Sequence, residues 1–142
     1  MSLPLKRMLG LGVILALVGA GCSRNGQLGA KSISQLSKSL QSEAAEGALL
    51  AEDAASGRTT RIYIREHVAE LSKAASLAEV TLKAAKTEPA LEPKLRQLAV
   101  LAGQVSADLE RLGIASRDED RALAGELRAA AQAIEKIGTG LT

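Results

Sequence analysis

The sequence predicts an all-α domain, an antiparallel up-down four-helix bundle, and three observations carry that expectation. Aromatic residues are almost absent: Tyr63 is the only one, with no Phe and no Trp. Ala and Leu dominate instead, so the chain is poor in the residues that furnish strands and rich in strong helix formers. Four segments carry apolar residues at alternating steps of three and four, the spacing that keeps one stripe of a helix against a neighbour. Short links separate these segments, and short links between long helices make them antiparallel neighbours.

The chain opens with an export signal in three parts. Lys6 and Arg7 form a positive start, Met8 to Val18 is apolar, and the small residues Gly19, Ala20 and Gly21 lead to Cys22. A membrane-spanning helix needs about 20 apolar residues. This run is shorter and interrupted by Gly10, Gly12 and Gly19, so residues 1–21 read as a cleaved signal helix. The segment Val18-Gly19-Ala20-Gly21-Cys22 resembles the lipobox of bacterial lipoproteins, in the looser form with Gly three residues before the cysteine where Leu is usual. The resemblance implies cleavage between Gly21 and Cys22. It also implies acyl chains such as palmitate on the sulfur and amine of Cys22, and attachment to a membrane through them. Cys22 is the only cysteine, and acylation accounts for a lone exported thiol with no disulfide partner. Two or more acyl chains hold a protein firmly, at roughly 0.8 kcal/mol per buried CH₂. In a source with two membranes, Ser23 rather than Asp after the cysteine points to the outer membrane. Residues 22–31 are polar and glycine-containing and read as a short tether, and residues 32–142 as the bundle domain.

The first helix has the loosest stripe: Ile33, Leu36, Leu40, Gly47, Leu50 and Ala54, interrupted by Glu43. Ser32 with Gln35 fits a capping box, in which side chains at both ends of the first turn satisfy free N–H groups. Gly57 marks the stop. The second stripe runs unbroken through Ile64, Val68, Leu71, Ala75, Ala78, Leu82 and Ala85, with Thr59 and Thr60 placed to cap it. Pro89 and Pro93 break the chain, and Pro93 suits the first turn of the third helix. The third stripe is Leu91, Leu95, Leu98, Ala102, Val105, Leu109 and Leu112, ending at Gly113. Ser116 with Glu119 forms a second capping box before Leu123, Leu127, Ala130, Ile134 and Ile137, and Gly138 marks the end. The expected helices of about 20–28 residues span roughly 30–42 Å. The topological alternative is a three-helix bundle with a loosely packed first helix beside it. Ala-rich seams allow close helix approach and leave little interior room. Gly103 and Gly125, each costing about 1 kcal/mol against Ala inside a helix, mark close contacts or a partner's approach.

Loss of the signal removes Lys6 and Arg7, so 18 Lys+Arg fall to 16 and match 16 Asp+Glu. A balanced domain offers no electrostatic case for nucleic acid. Tyr63, His67 and Glu70 share one face of the second helix as a weak polar patch. His67 is the only histidine. A di-iron bundle needs Glu-x-x-His on several helices, a c-type haem needs Cys-x-x-Cys-His, and structural zinc needs four ligands. The sequence contains none of these sets, nor a nucleophile elbow or a phosphate-binding glycine loop. Asp118, Glu119 and Asp120 read as a favourable helix start rather than a cation site. The expectation is a non-enzymatic, lipid-anchored protein of the cell envelope, without cofactor or metal. It presents its bundle to a partner protein or to its own copies. An envelope chaperone or carrier for a peptide, lipid or metal is the alternative, for which the first helix would swing away to open a groove.

Overall fold

A computed structural model describes residues 26–141. It contains four helices: α1 (Ala30–Ala55), α2 (Arg61–Ala84), α3 (Glu92–Ile114) and α4 (Arg117–Thr139). Their lengths of 26, 24, 23 and 23 residues fall within the expected range. The most extensive interfaces pair α1 with α4 and α2 with α3, and the two pairs close on each other through α3 with α4 and α1 with α2. No described helix is long and apolar enough to cross a membrane. The signal segment, the Gly21–Cys22 cleavage position, the lipidation residue and Ser23 lie outside the described residues.

The first helix is a full member of the bundle. Ile33, Leu40, Ala44, Ala48, Leu50, Ala51 and Ala54 are all buried, and α4 is its main neighbour. Its gap in the stripe is filled by small residues rather than left loose. Gly47 sits where α1 meets both other long seams, so close to Leu109 of α3 and Leu127 of α4 that a methyl group there would overlap them. Glu43 is half-buried beside the seam, and Ala44 takes the inward place. The three-helix alternative is therefore replaced by four packed helices.

Several helix ends differ from expectation for tertiary reasons. The N-cap of α1 is Gly29, without a side-chain cap, and Ser32 lies inside the first turn. The cause is an anchor upstream: Leu28 N donates to Lys86 O at 2.8 Å, and Thr87 Oγ1 donates to Leu28 O at 2.7 Å. The chain is thus fixed against the α2–α3 link and enters the helix early. The Ser116 box forms as expected. Glu119 Oε2 accepts from Ser116 N at 2.7 Å, Ser116 Oγ accepts from Glu119 N, and these bonds hold the Glu119 carboxyl below its usual range. Thr60 Oγ1 caps α2 by accepting from Tyr63 N at 3.3 Å. Pro93 falls in the first turn of α3. Gly57 follows the end of α1 with φ +69°, a left-handed conformation that glycine adopts without a Cβ penalty. Helices α3 and α4 end one residue beyond Gly113 and Gly138, and neither glycine takes the left-handed conformation. Each lies within its helix at a close approach, Gly113 against Val68 and Gly138 against Ser37.

The apolar seams form one continuous core. One register shift appears in α2, where Ser72 is buried and Leu71 only half-buried. A straight helix of 3.6 residues per turn drifts against a 3.5-residue repeat, and here the drift passes the inward position to the next residue. The small Ser72 permits close contact with Ser106 of α3.

Candidate interaction surface

The two helix pairs differ in what they show to solvent. Of seven large apolar side chains left exposed among the described residues, six belong to α2 and α3: Ile62, Tyr63, Leu77, Val80, Val100 and Ile114. The seventh is Leu49 of α1. On α2, Leu77 and Val80 form a second stripe that falls between the inward Ala75, Ala78 and Leu82. Leu77 is 67% exposed, and Ile114, at the C-terminal end of α3, is 87% exposed.

Three of them, Leu77, Val80 and Ile114, line an open groove of about 800 Å³ between α2 and α3. Val68, Ala69, Leu77 and Val80 line one wall, Gly113 and Ile114 the other, and Arg65, Lys73 and Glu110 stand at its rim. Ser72 lies in its lining and pairs with Ser106 of α3. Ser106 Oγ donates to Ser72 O at 3.2 Å, the two hydroxyls lie 3.3 Å apart, and Ser72 Oγ donates to Glu110 Oε1 at 3.3 Å. Pairing each hydroxyl avoids the cost of a buried unsatisfied polar group. An apolar lining with charged residues at its rim suits an amphipathic helix laid lengthwise, with charged residues at its edges.

The polar patch expected on α2 is partly assembled. The rings of Tyr63 and His67 stack with centroids 4.4 Å apart and planes 29° apart, and Tyr63 Oη lies 3.4 Å from His67 Nε2. Glu70 is exposed one turn further along. Among the described residues, no group of three or more His, Cys, Asp or Glu side chains is placed to hold a metal ion.

The acidic start of α4 divides into separate roles. Glu119 completes the cap, Asp118 is exposed, and Asp120 is fully buried. Arg61 at the start of α2 grips Asp120 through both nitrogens, with Nη1 donating to Oδ1 at 3.1 Å and Nη2 paired with Oδ2. This fork clamps the two helix pairs together at one end of the bundle. Sequence reading placed Asp120 as a dipole feature. The same residue type at the same position serves either purpose, so only the fold distinguishes them. The inward stripes account for the helices without Leu77, Val80, Val100 and Ile114. Their signal was the offset apolar series itself.

Two carboxyl groups are held above their ordinary range. Burial pushes Glu43 up to about 7, opposed by a hydrogen bond from Ser39 and reinforced by the nearby Glu46. Burial also raises Asp108, and the charge of Glu126 adds to it, while Arg111 opposes both. No protein-family model, curated protein or solved structure matches this chain.

Proposed function

We infer that the protein is a non-enzymatic lipoprotein of the cell envelope, anchored through Cys22, that presents the outer face of α2 and α3 to a helix of a partner protein or of its own copies. The observation that carries the interaction reading is the concentration of exposed apolar side chains on that one helix pair. Full burial of a Leu, Val or Ile side chain stabilises an association by about 1.5–3 kcal/mol. Three such residues along a groove supply an apolar driving force that offsets part of the cost of association. The anchor reading is supported by the lipobox-like segment at residues 18–22, and in a source with two membranes Ser23 favours the outer one. Confinement to a membrane also raises the effective concentration of copies and partners.

The groove favours one further reading, a carrier or chaperone that holds an apolar peptide segment transiently. In that case the groove is available without α1 leaving its place against α4. A dye that fluoresces on exposed apolar surface separates the two. A carrier binds it strongly and loses it to short amphipathic peptides, whereas a dedicated docking face loses it only to its own partner.

The anchor is tested by Cys22→Ala. The expected outcome is loss of signal cleavage and loss of acyl labelling, read by mass spectrometry of the envelope fraction. Unchanged processing together with an unacylated wild-type Cys22 would contradict the reading.

A further inference from the structure

Charge is distributed unevenly along the bundle axis. One end gathers the start of α1, the end of α2, the start of α3 and the end of α4. It is defined by the Leu28–Lys86 contact and by Lys94, which donates to the Gly140 carbonyl. At this end the pairs Lys83–Glu79 and Arg96–Glu92 cancel. Lys31, Lys38, Lys86, Lys94 and Lys136 stand in no ion pair, against only Glu88 and Glu135. The far end has the reverse balance. Arg58–Asp53 and Arg61–Asp120 are paired there. Arg65, Arg117 and Arg121 stand in no ion pair, against Glu46, Glu66, Glu70, Glu110, Asp118 and Glu119. Antiparallel helices cancel one another's backbone dipoles, so these side chains set the axial field of the described residues.

The chain joins the bundle at the positive end. Leu28 is hydrogen-bonded to Lys86 and Thr87, so Cys22 lies at most about 17 Å of chain from residue 27. We propose that this lysine-rich end is a headgroup-facing surface that docks on an anionic bilayer, setting the bundle upright with the α2–α3 groove open to the side. The proposal rests on the anchored reading above. The partner chemistry follows from the charge sign. Exposed lysines act as solvated point charges, suited to a diffuse anionic surface rather than to one bidentate ligand. The far end lies about 35 Å away along helices of 23 to 26 residues. That exceeds the screening length of about 10 Å at 0.1 M salt, so its acidic groups do not oppose the contact.

The test uses the full acylated protein reconstituted into vesicles carrying a quencher on the lipid headgroups. With Cys22 acylated, an introduced cysteine is the single site for a fluorescent label. Ala90→Cys reports the lysine-rich end and Ala122→Cys the far end, both exposed positions. Quenching at Ala90→Cys is expected to be about threefold stronger in phosphatidylglycerol-containing vesicles than in phosphatidylcholine vesicles, and to lose that excess in high salt. Quenching at Ala122→Cys is expected to be weak in both. Reversing Lys86→Glu and Lys136→Glu together should abolish the excess while leaving the helical circular dichroism unchanged. Equal quenching at the two positions, indifference to lipid charge and salt, or an excess that survives the reversal would overturn the proposal. Release of the protein from vesicles by washing would overturn the anchored reading instead, and this proposal with it.

Discussion

The pair α1/α4 and the pair α2/α3 are built from the same alphabet and finished differently. Both use small residues to bring helices close: Gly138 against Ser37 in the first pair, Ser72 against Ser106 in the second. Only α1/α4 turns its large apolar residues inward almost without exception, leaving Leu49 exposed. The pair α2/α3 keeps six exposed, three of them along the groove. Core packing needs none of those six. Leu77 and Ile114 contribute little to the fold where they stand, and the proposed docking face gives them a role. A helical pair can thus be complete as part of a bundle and incomplete as a surface.

The comparison breaks most sharply under truncation. Leu127→Ala removes a fully buried side chain that packs beside Gly47. It is expected to cost about 2–5 kcal/mol in denaturant unfolding. Leu77→Ala, on the exposed stripe, should fall within about 0.5 kcal/mol of wild type. Comparable losses at both positions would show that the stripe serves the core. Asp120→Ala tests the clamp between the pairs. Breaking a buried ion pair from one side costs about 3–5 kcal/mol, but Arg61 is 37% exposed and regains water. A loss of about 1–3 kcal/mol is expected.

Two glycines on the α1/α4 pair should respond with opposite sign. At Gly47 a Cβ would lie 2.5 Å from a Leu109 methyl and 3.2 Å from a Leu127 methyl, so Gly47→Ala destabilises by about 1 kcal/mol after its helical gain is subtracted. At Gly125 a Cβ meets nothing within 4 Å, so Gly125→Ala stabilises by about 1 kcal/mol. Thermal unfolding of the two variants reads both signs. Glu43 is the flaw in the better-covered pair. Its folded pKa of about 7 lies above its ordinary value of 4.5, so the fold favours the protonated form. Stability from this group is greatest below pH 4.5 and declines as pH rises to about 7. The loss is on the order of 1 kcal/mol, allowing for solvent screening of a half-buried carboxyl. Glu43→Gln should flatten that part of the stability–pH curve.

The four helices were legible because their inward stripes are long and regular, as in Leu95, Leu98, Ala102, Val105, Leu109 and Leu112, all of them buried. The Ser116–Glu119 cap was legible because it is local, complete within four residues. The start of α1 was not. Ser32 and Gln35 carry a valid local signal, but Leu28 is tied to a segment nearly sixty residues away, and that contact decides where the helix begins. The burial of Asp120 was hidden for the same reason, since its partner Arg61 comes from another helix. Gly113 and Gly138 resemble stop signals and act as contact points, because a glycine near a helix end serves either role. The outer stripe is readable in principle from Leu77, one position before the seam residue Ala78, and Val80, two after it. A helix already explained by one stripe does not call for a second.

The most direct test compares the two exposed faces in the native envelope. A photo-crosslinking residue is placed at Leu77 on α2 and, separately, at Leu49 on α1, in otherwise unaltered protein. The account predicts a discrete crosslinked adduct from position 77, lost when Val80→Glu is added, and none from position 49. Adducts of equal yield from both positions, or none from position 77, would contradict it.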